Sequence, residues 1–270
     1  MDLIRPFLDY EFMRNALFAV LLIMPLFAIL GTMVVNNGMA FFSDALGHSA
    51  LTGVGIGVLL GMSDYEWPMI VFAVVFALLM NRVRHASRGR ADTVIGVFSS
   101  CGVALGLVLL SRGGNFQSYQ SLLIGDILNV TPDRLWVLLA ALAAVIVVWM
   151  FSFNRFLAVS ISPTLAKTHR VAVWLYDRLL VVVTAVVVML SIRIVGLLII
   201  NAMLILPAAA SRNVARSMRS YHVLAMVFGL FSGLLGLVLS YYNEAAAPGP
   251  MIVLCAASVF FGTLFLARKK

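Results

Sequence analysis

Apolar residues run through most of this chain in stretches of about twenty, separated by short segments that carry the charged residues. A helix of roughly 20 apolar residues is long enough to cross a hydrocarbon core of about 30 Å. The pattern therefore predicts an all-α polytopic membrane protein, with a single transmembrane domain over residues 1–270. It predicts about nine membrane-spanning helices, at 13–35, 40–61, 67–81, 92–111, 134–151, 177–191, 194–211, 221–242 and 250–267.

The long apolar run at 179–210 decides the number of spans. As one helix it would measure about 48 Å, too long for one crossing and short for two full ones. A single crossing would place Arg212, Arg216 and Arg219 on the opposite side from the other basic segments. We therefore predict two helices joined by a tight hairpin at 191–193, with the N-terminus outside and the C-terminus inside.

Composition supports a membrane protein and excludes other classes. The chain is 63% hydrophobic and 11% charged, whereas soluble domains carry about 25% charged residues. Its net charge of +8 does not indicate a nucleic-acid partner, because fourteen of the 19 Lys and Arg residues fall in four short segments: 82–90, 155–178, 212–219 and 268–270. Basic residues gathered in this way are typical of cytoplasmic loops.

Asp44 and His48 are the polar residues that stand out within the second predicted span. They lie four residues apart and therefore share one face of a helix. A charged group in hydrocarbon costs about 2.5–3.5 kcal/mol on insertion scales, so an intramembrane Asp indicates a functional site. Such a pair can share one divalent cation, with water or a second protomer completing the site. The alternative is a hydrogen-bonded pair that fixes helix packing.

Several segments together resemble the metal-ion ABC importer permeases that carry zinc or manganese. In chain order they are MAFFSDALGHSALTG at 39–53, ADTVIG at 91–96, LIGDIL at 123–128, GLLII at 196–200 with LILPAAA at 204–210, and PGPMIVL at 248–254. The resemblance covers most of the chain, and the segment 125–133 is closer to the zinc branch. It implies an ABC importer permease fold, a location in the bacterial plasma membrane, and Asp44 and His48 as metal ligands.

The resemblance also implies the partners. They are a second permease protomer, ATP-binding ABC subunits in the cytoplasm and an extracytoplasmic metal-binding protein, all working beside membrane lipid. Zn²⁺ or Mn²⁺ would be the transported substrate, with no permanently bound cofactor. The chain has no Gly-x4-Gly-Lys-Ser/Thr segment that would cradle ATP phosphates, so it is not expected to be an enzyme.

A cytoplasmic loop predicted at 156–176 is the expected coupling element for the ATPase. It is about twenty residues long and mixes basic with apolar side chains. The residues expected to contact the ATPase are Pro163, Leu165, Ala166, His169 and Val171. This chain lacks the acidic residue and glycine usual after Phe156 in the family, so its contacts would be individual to this system.

Two acidic residues are expected near the outer face. Asp126 lies in the segment 112–133, whose apolar spacing favours a short interfacial or re-entrant helix ended by Pro132. It is a vestibule acid, a first ligand for incoming metal, or a helix-end residue. Glu244 is a second vestibule residue or simply solvated. The histidines His85, His169 and His222 lie in or beside basic segments and are expected at the surface.

Two other classes of protein remain open on sequence alone. A secondary metal carrier would need several buried acids and broken helices at an ion-coupling site, whereas only Asp44 is clearly intramembrane. A receptor or scaffold would need neither the Asp44–His48 pair nor the outward segment. Dependence of uptake on ATP separates the first from an ABC permease, and loss of transport in a knockout separates the second. Manganese or iron is the alternative metal to zinc.

Overall fold

The computed structural model describes residues 10–87, 91–112, 125, 127–243 and 246–267. Within these ranges the chain is helical, with a single 3-10 turn at Ile127–Asn129 and no strand. Its α-helices are α1 (Glu11–Asn36), α2 (Phe42–Leu59), α3 (Glu66–Ala86), α4 (Ala91–Arg112), α5 (Pro132–Ile161), α6 (Pro163–Thr168), α7 (Val173–Val195), α8 (Leu197–Val214), α9 (Met218–Tyr242) and α10 (Pro248–Ala267).

Seven of the described helices are long and apolar enough to cross a membrane, namely α1, α3, α4, α5, α7, α9 and α10. Of the other two long helices, α2 carries Asp44 and His48, and α8 contributes the shorter apolar stretch Ile199–Val214. Exposed tryptophans stand in the first two turns of α3, α5 and α7, as expected of side chains that anchor helices at the membrane interface. The all-α polytopic class is confirmed, and the count of nine spans stays a prediction.

The chain divides into two compact units. Unit 1 comprises Met1–Val35, Ile124–Ala143 and Arg193–Lys270, and in it α8, α9 and α10 pack against one another. Unit 2 comprises Asn36–Leu123 and Ala144–Ile192, and in it α2 packs on both α3 and α4. Unit 2 therefore holds the Asp44–His48 pair, and the predicted single domain over 1–270 stays a prediction.

The predicted hairpin at 191–193 is wrong, because these residues lie inside α7. The interruption comes at Gly196, the N-cap of α8, whose φ of 78° lies in the left-handed region. Glycine reaches that region without the steric cost that a Cβ would bring. In unit 1 the backbone of Gly125, also left-handed with φ of 62°, packs directly on the backbone at Val195 and Gly196. Two of the segments that resemble the permease family therefore meet at this break.

Pro132, which was expected to end a short interfacial helix, is the first residue of α5. The first N–H groups of a helix have no intrahelical acceptor, so proline loses nothing there and its fixed φ suits the first turn. Residues 113–124 and 126, where the short interfacial helix was expected, lie outside the described residues.

Close contacts hold α2 in unit 2. A Cβ atom on Gly53 would lie 2.5 Å from the Cα of Met69, so the backbones of α2 and α3 meet where glycine permits it. On the other side, the hydroxyl of Thr52 donates a hydrogen bond of 2.6 Å to the carbonyl of Gly102 in α4. Small residues at helix crossings allow such approach in membranes. The helix that carries Asp44 and His48 is therefore fixed from two sides.

Candidate metal site

The start of α2 places the acid before the histidine. The turn at 39–41 leads into the helix, with the Phe42 N–H bonded to the carbonyl of Met39 at 2.9 Å. Asp44 then falls in the first helical turn. Unpaired N–H groups and the helix dipole favour a carboxylate there, which is a structural reason for Asp44 beside any functional one. His48 follows one turn later on the same face.

The Asp44 and His48 side chains are neighbours at a partly open surface. His48 Nε2 lies 3.5 Å from Asp44 Oδ1, and the side chains are 32% and 40% exposed, respectively. The residues between them, 45–47, are buried. The pair therefore points away from the packed side of α2 and its donor atoms are within reach of an ion.

The separation of these two donor atoms matches a metal site. A tetrahedral Zn²⁺ with bonds of about 2.0–2.2 Å holds its ligand atoms about 3.3–3.6 Å apart. The observed 3.5 Å falls within that range. Among the described residues no group of three or more His, Cys, Asp or Glu side chains could hold a metal ion. The described part of one chain thus offers two adjacent donors, half of a tetrahedral set.

The other predicted site residues divide into two groups. Asp126 and Glu244, the expected vestibule acids, lie outside the described residues. The coupling residues are described, and the predicted 156–176 loop is wrong in its extent. Residues 156–161 end α5 and 173–176 begin α7, so that only 162–172 connect the two helices. Both helices extend past their most apolar stretches. Hydropathy alone therefore ended α5 too early and began α7 too late.

The connection contains α6, a short helix capped at both ends. The hydroxyl of Ser162 accepts the N–H of Leu165 at 3.3 Å, and Pro163 occupies the first turn. At the other end Arg170 has φ of 58°, and its N–H donates to Lys167 while that of Val171 donates to Ala166. This pair of bonds is a Schellman motif, in which a left-handed residue satisfies the last carbonyls of a helix. The segment is ordered by its own hydrogen bonds.

The predicted ATPase contacts do not all lie at the surface of α6. Leu165 is 61% exposed, Pro163 and His169 are exposed, and Val171 is half-buried. Ala166 is 1% exposed, so its predicted place among the surface contacts is wrong. Successive residues of a helix are about 100° apart around its axis, so Ala166 faces inward while Leu165 faces solvent.

The sequence reasoning missed a polar cluster that joins α3 to α7. Asp177 Oδ2 accepts a 2.6 Å hydrogen bond from Asn81 Nδ2, and its Oδ1 accepts one of 3.0 Å from Arg84. His85 Nε2 lies 3.6 Å from Asp177 Oδ2. A signal was present, because Asp177 is the only acid between Asp133 and Glu244. His85 is exposed as expected, but His222 is buried, so its predicted surface position is wrong.

The fold and its polar residues define a polytopic permease, and comparison with known proteins gives the family. Residues 9–267 match the ABC 3 transport family. The chain is 30% identical to the manganese import system permease protein ScaB of Streptococcus gordonii, covering 97% of this chain and 94% of ScaB. It is 30% identical to the high-affinity zinc uptake system membrane protein ZnuB of Haemophilus influenzae, covering 96% and 99%.

A solved structure shows the same fold. The PsaBC complex from Streptococcus pneumoniae, determined with a Fab, contains a chain that is 30% identical and superposes with a TM-score of 0.85, covering 98% of this chain and 95% of that one. This chain belongs to the ABC 3 transport family, the permeases of ABC metal importers. It is a multi-pass permease subunit of the bacterial inner membrane and not itself an enzyme.

Proposed function

We propose that this chain is the permease of an ATP-driven zinc importer, and that Asp44 and His48 bind the ion on its way inward. The observation that carries the proposal is an open pair: His48 Nε2 and Asp44 Oδ1 lie 3.5 Å apart, which suits two ligands of one tetrahedral ion, on side chains that are 32% and 40% exposed. Their partial exposure leaves room for further ligands. A second protomer with the same pair would complete a four-ligand site with two nitrogens and two oxygens across a homodimer axis.

Zinc is favoured by the ligand set and by the sequence of the segment 125–133, which looks more like the zinc branch of the family than the manganese branch. Imidazole and carboxylate in tetrahedral geometry suit Zn²⁺. Manganese is the second candidate, because ScaB is named as a manganese permease and is as similar to this chain as ZnuB is. Mn²⁺ prefers six ligands, so the same four groups would need added water.

The proposed pathway has an outer and an inner partner. An extracytoplasmic metal-binding protein would deliver the ion to a vestibule that includes Asp126 and Glu244. ATP-binding subunits would dock on α6 through Pro163, Leu165, His169 and Val171. The capped geometry of α6 and the 61% exposure of Leu165 support this docking element. Nine spans place α6 and the basic segments on one side, the cytoplasm.

Metal uptake tests the function directly. The permease is reconstituted in vesicles with its ATPase and binding protein, and uptake of radiolabelled zinc or manganese is followed with and without ATP. We expect ATP-dependent zinc uptake that Asp44→Asn and His48→Ala abolish. Asp64→Asn, at an exposed carboxylate after α2, is the matched control and should transport normally. Preference for manganese would overturn the metal assignment, and uptake without ATP would indicate a secondary carrier.

The docking element is tested by crosslinking. Leu165→Cys should capture the ATPase subunit, whereas Ala166→Cys should not, because Ala166 is buried and Leu165 is exposed. Capture from Ser217→Cys alone would place the coupling element at the α8–α9 connection instead.

Cysteine variants also test the membrane topology. An impermeant thiol reagent added outside should label Ala246→Cys and not Ser217→Cys. Labelling of Ser217→Cys from outside would reduce the span count to eight.

A further inference from the structure

The contact between α3 and α7 is a closed ring of hydrogen bonds around one carboxylate. Arg84 donates to Asp177 at 3.0 Å and to the Asn81 side-chain oxygen at 2.9 Å, while Asn81 donates to Asp177 at 2.6 Å. The Arg84 and Asp177 side chains are only 12% and 11% exposed. A shielded, charge-assisted network of this kind fixes geometry more firmly than a surface ion pair does. We call these three residues the Asp177 clamp.

Tyr176, the residue before Asp177, connects the start of α7 to α5. The Tyr176 hydroxyl accepts a hydrogen bond from the Arg155 guanidinium, which also lies 5.6 Å from the Tyr176 ring centre. The ring packs edge-on against Phe156 with 5.7 Å between centres. Arg155 and Phe156 belong to the last turns of α5. The first turn of α7 is therefore held by α3 on one side and by α5 on the other.

The position of this turn links it to the proposed docking helix. The connection 162–172 that contains α6 leaves the end of α5 and returns into the start of α7. The helix ends on both sides of the connection are therefore held in place. Arg155 bonds to Tyr176 between α5 and α7, and Asp177 bonds to Arg84 between α7 and α3. From the clamp, α3 continues to its close contact with α2 at Met69 and Gly53. A continuous series of side-chain and backbone contacts within unit 2 joins α6 to the helix that carries Asp44 and His48.

We propose that Asp177 is a positioning residue for ATP-driven transport. The clamp couples α7 to α3, so that a movement of α6 imposed by the ATPase is carried to α2 and the metal pair instead of being absorbed at the α6–α7 junction. The inference rests on the proposed function, because it needs an ATPase that acts on α6.

The charges at the clamp distinguish this role from a second metal site. Both carboxylate oxygens of Asp177 already accept hydrogen bonds, and the Arg84 guanidinium beside them repels a cation. His85 Nε2 lies 3.6 Å from Asp177 Oδ2, and the His85 side chain is 57% exposed. A purely structural role predicts loss of folded protein with unchanged transport per ATP. A positioning role predicts that transport per ATP falls in the protein that does fold.

The test measures zinc uptake and ATP hydrolysis in the same vesicles, with the complete permease, ATPase and binding protein. Asp177→Asn and Arg84→Gln each remove one charge, and the double variant removes both and so leaves no shielded charge unpaired. Arg82→Gln, at an exposed arginine on the same end of α3, is the matched control. Mutations along coupling routes change coupling by roughly 2–30-fold, so we expect about a tenfold fall in zinc imported per ATP in the clamp variants.

The outcomes separate the two proposals. A lower uptake-to-hydrolysis ratio in the double variant, with the control at the wild-type ratio, supports the clamp even if the single variants fail to fold. An unchanged ratio in the double variant, or uptake and hydrolysis falling in proportion, overturns the clamp and leaves the importer intact. If the wild-type complex shows no ATP-dependent uptake of zinc or manganese, the proposed function itself fails and the clamp with it.

Discussion

Unit 2 contains two carboxylate–histidine pairs of nearly equal spacing, one at a partly open surface and one around a shielded carboxylate. His48 lies 3.5 Å from Asp44 on α2, and His85 lies 3.6 Å from Asp177 between α3 and α7. The Asp44 side chain is 40% exposed and the Asp177 side chain 11%. Arg84 pairs with Asp177 at 3.0 Å and shields that carboxylate further. Distance between donor atoms therefore does not by itself distinguish a metal pair from a structural one.

The two pairs show what a carboxylate needs in order to bind a cation. A metal ligand needs an accessible lone pair and no fixed positive charge beside it. In the Asp177 clamp both carboxylate oxygens accept hydrogen bonds, and Arg84 lies beside them. A clamp needs the reverse, because a buried carboxylate without partners is strongly disfavoured. The same residue types therefore serve either role according to what surrounds them.

The largest contrast is expected in stability. Asp177→Ala leaves the shielded Arg84 guanidinium unpaired, and breaking such a buried pair costs about 3–5 kcal/mol. Asp44→Ala removes a half-exposed first-turn acid, and a helix dipole stabilises such an acid by about 0.3–1 kcal/mol. Thermal unfolding of the two purified variants in detergent should show a much lower midpoint for Asp177→Ala. Equal midpoints would contradict the assignment of Asp177 as the structural member of the comparison.

A smaller effect is expected from the contact that supports the Asp44–His48 pair. Gly53→Ala would bring a Cβ to 2.5 Å from the Cα of Met69, and overpacking of this kind costs about 1–3 kcal/mol. Because α2 must shift away from α3, zinc uptake should fall as well. Gly96→Ala on α4 has open space around its Cβ and is the matched control. Normal uptake and stability in Gly53→Ala would show that this contact does not position the pair.

The smallest effect is expected at the second histidine. His85 is 57% exposed, and ion pairs at such positions contribute about 0–1 kcal/mol. His85→Ala should therefore leave uptake and the unfolding midpoint close to wild type, whereas His48→Ala abolishes uptake. Loss of uptake in His85→Ala would contradict the distinction between the two pairs, because both histidines would then be needed for transport.

The sequence was sufficient where a signal is local. Apolar length predicted the spanning helices. The i, i+4 spacing predicted that Asp44 and His48 share a face, and their donor atoms lie 3.5 Å apart. The capped helix α6 also had a local signal, because Ser162 followed by Pro163 is typical of a helix start. Hydropathy alone had predicted a loop there. In the run 179–210 the polar residues Ser191 and Arg193 led to a predicted break at 191–193, whereas the chain breaks at Gly196, the one glycine of the run.

Contacts between distant residues could not be predicted in this way. Asp177 and Arg84 are 93 positions apart, and one sequence does not reveal which arginine an acid will meet. The burial of Ala166 beside exposed Leu165 likewise depends on how α6 packs, which its six residues do not determine. The site residues on one helix were therefore accessible to reasoning, and the clamp that joins two helices was not.

Equilibrium binding of zinc to the purified permease tests the central claim most directly. The account predicts one zinc ion for every two chains, because each chain supplies two ligands of a four-ligand site. Asp44→Asn and His48→Ala should each abolish this binding, while Asp177→Asn should retain it at the same stoichiometry. Zinc bound equally well by the His48→Ala permease would contradict the account.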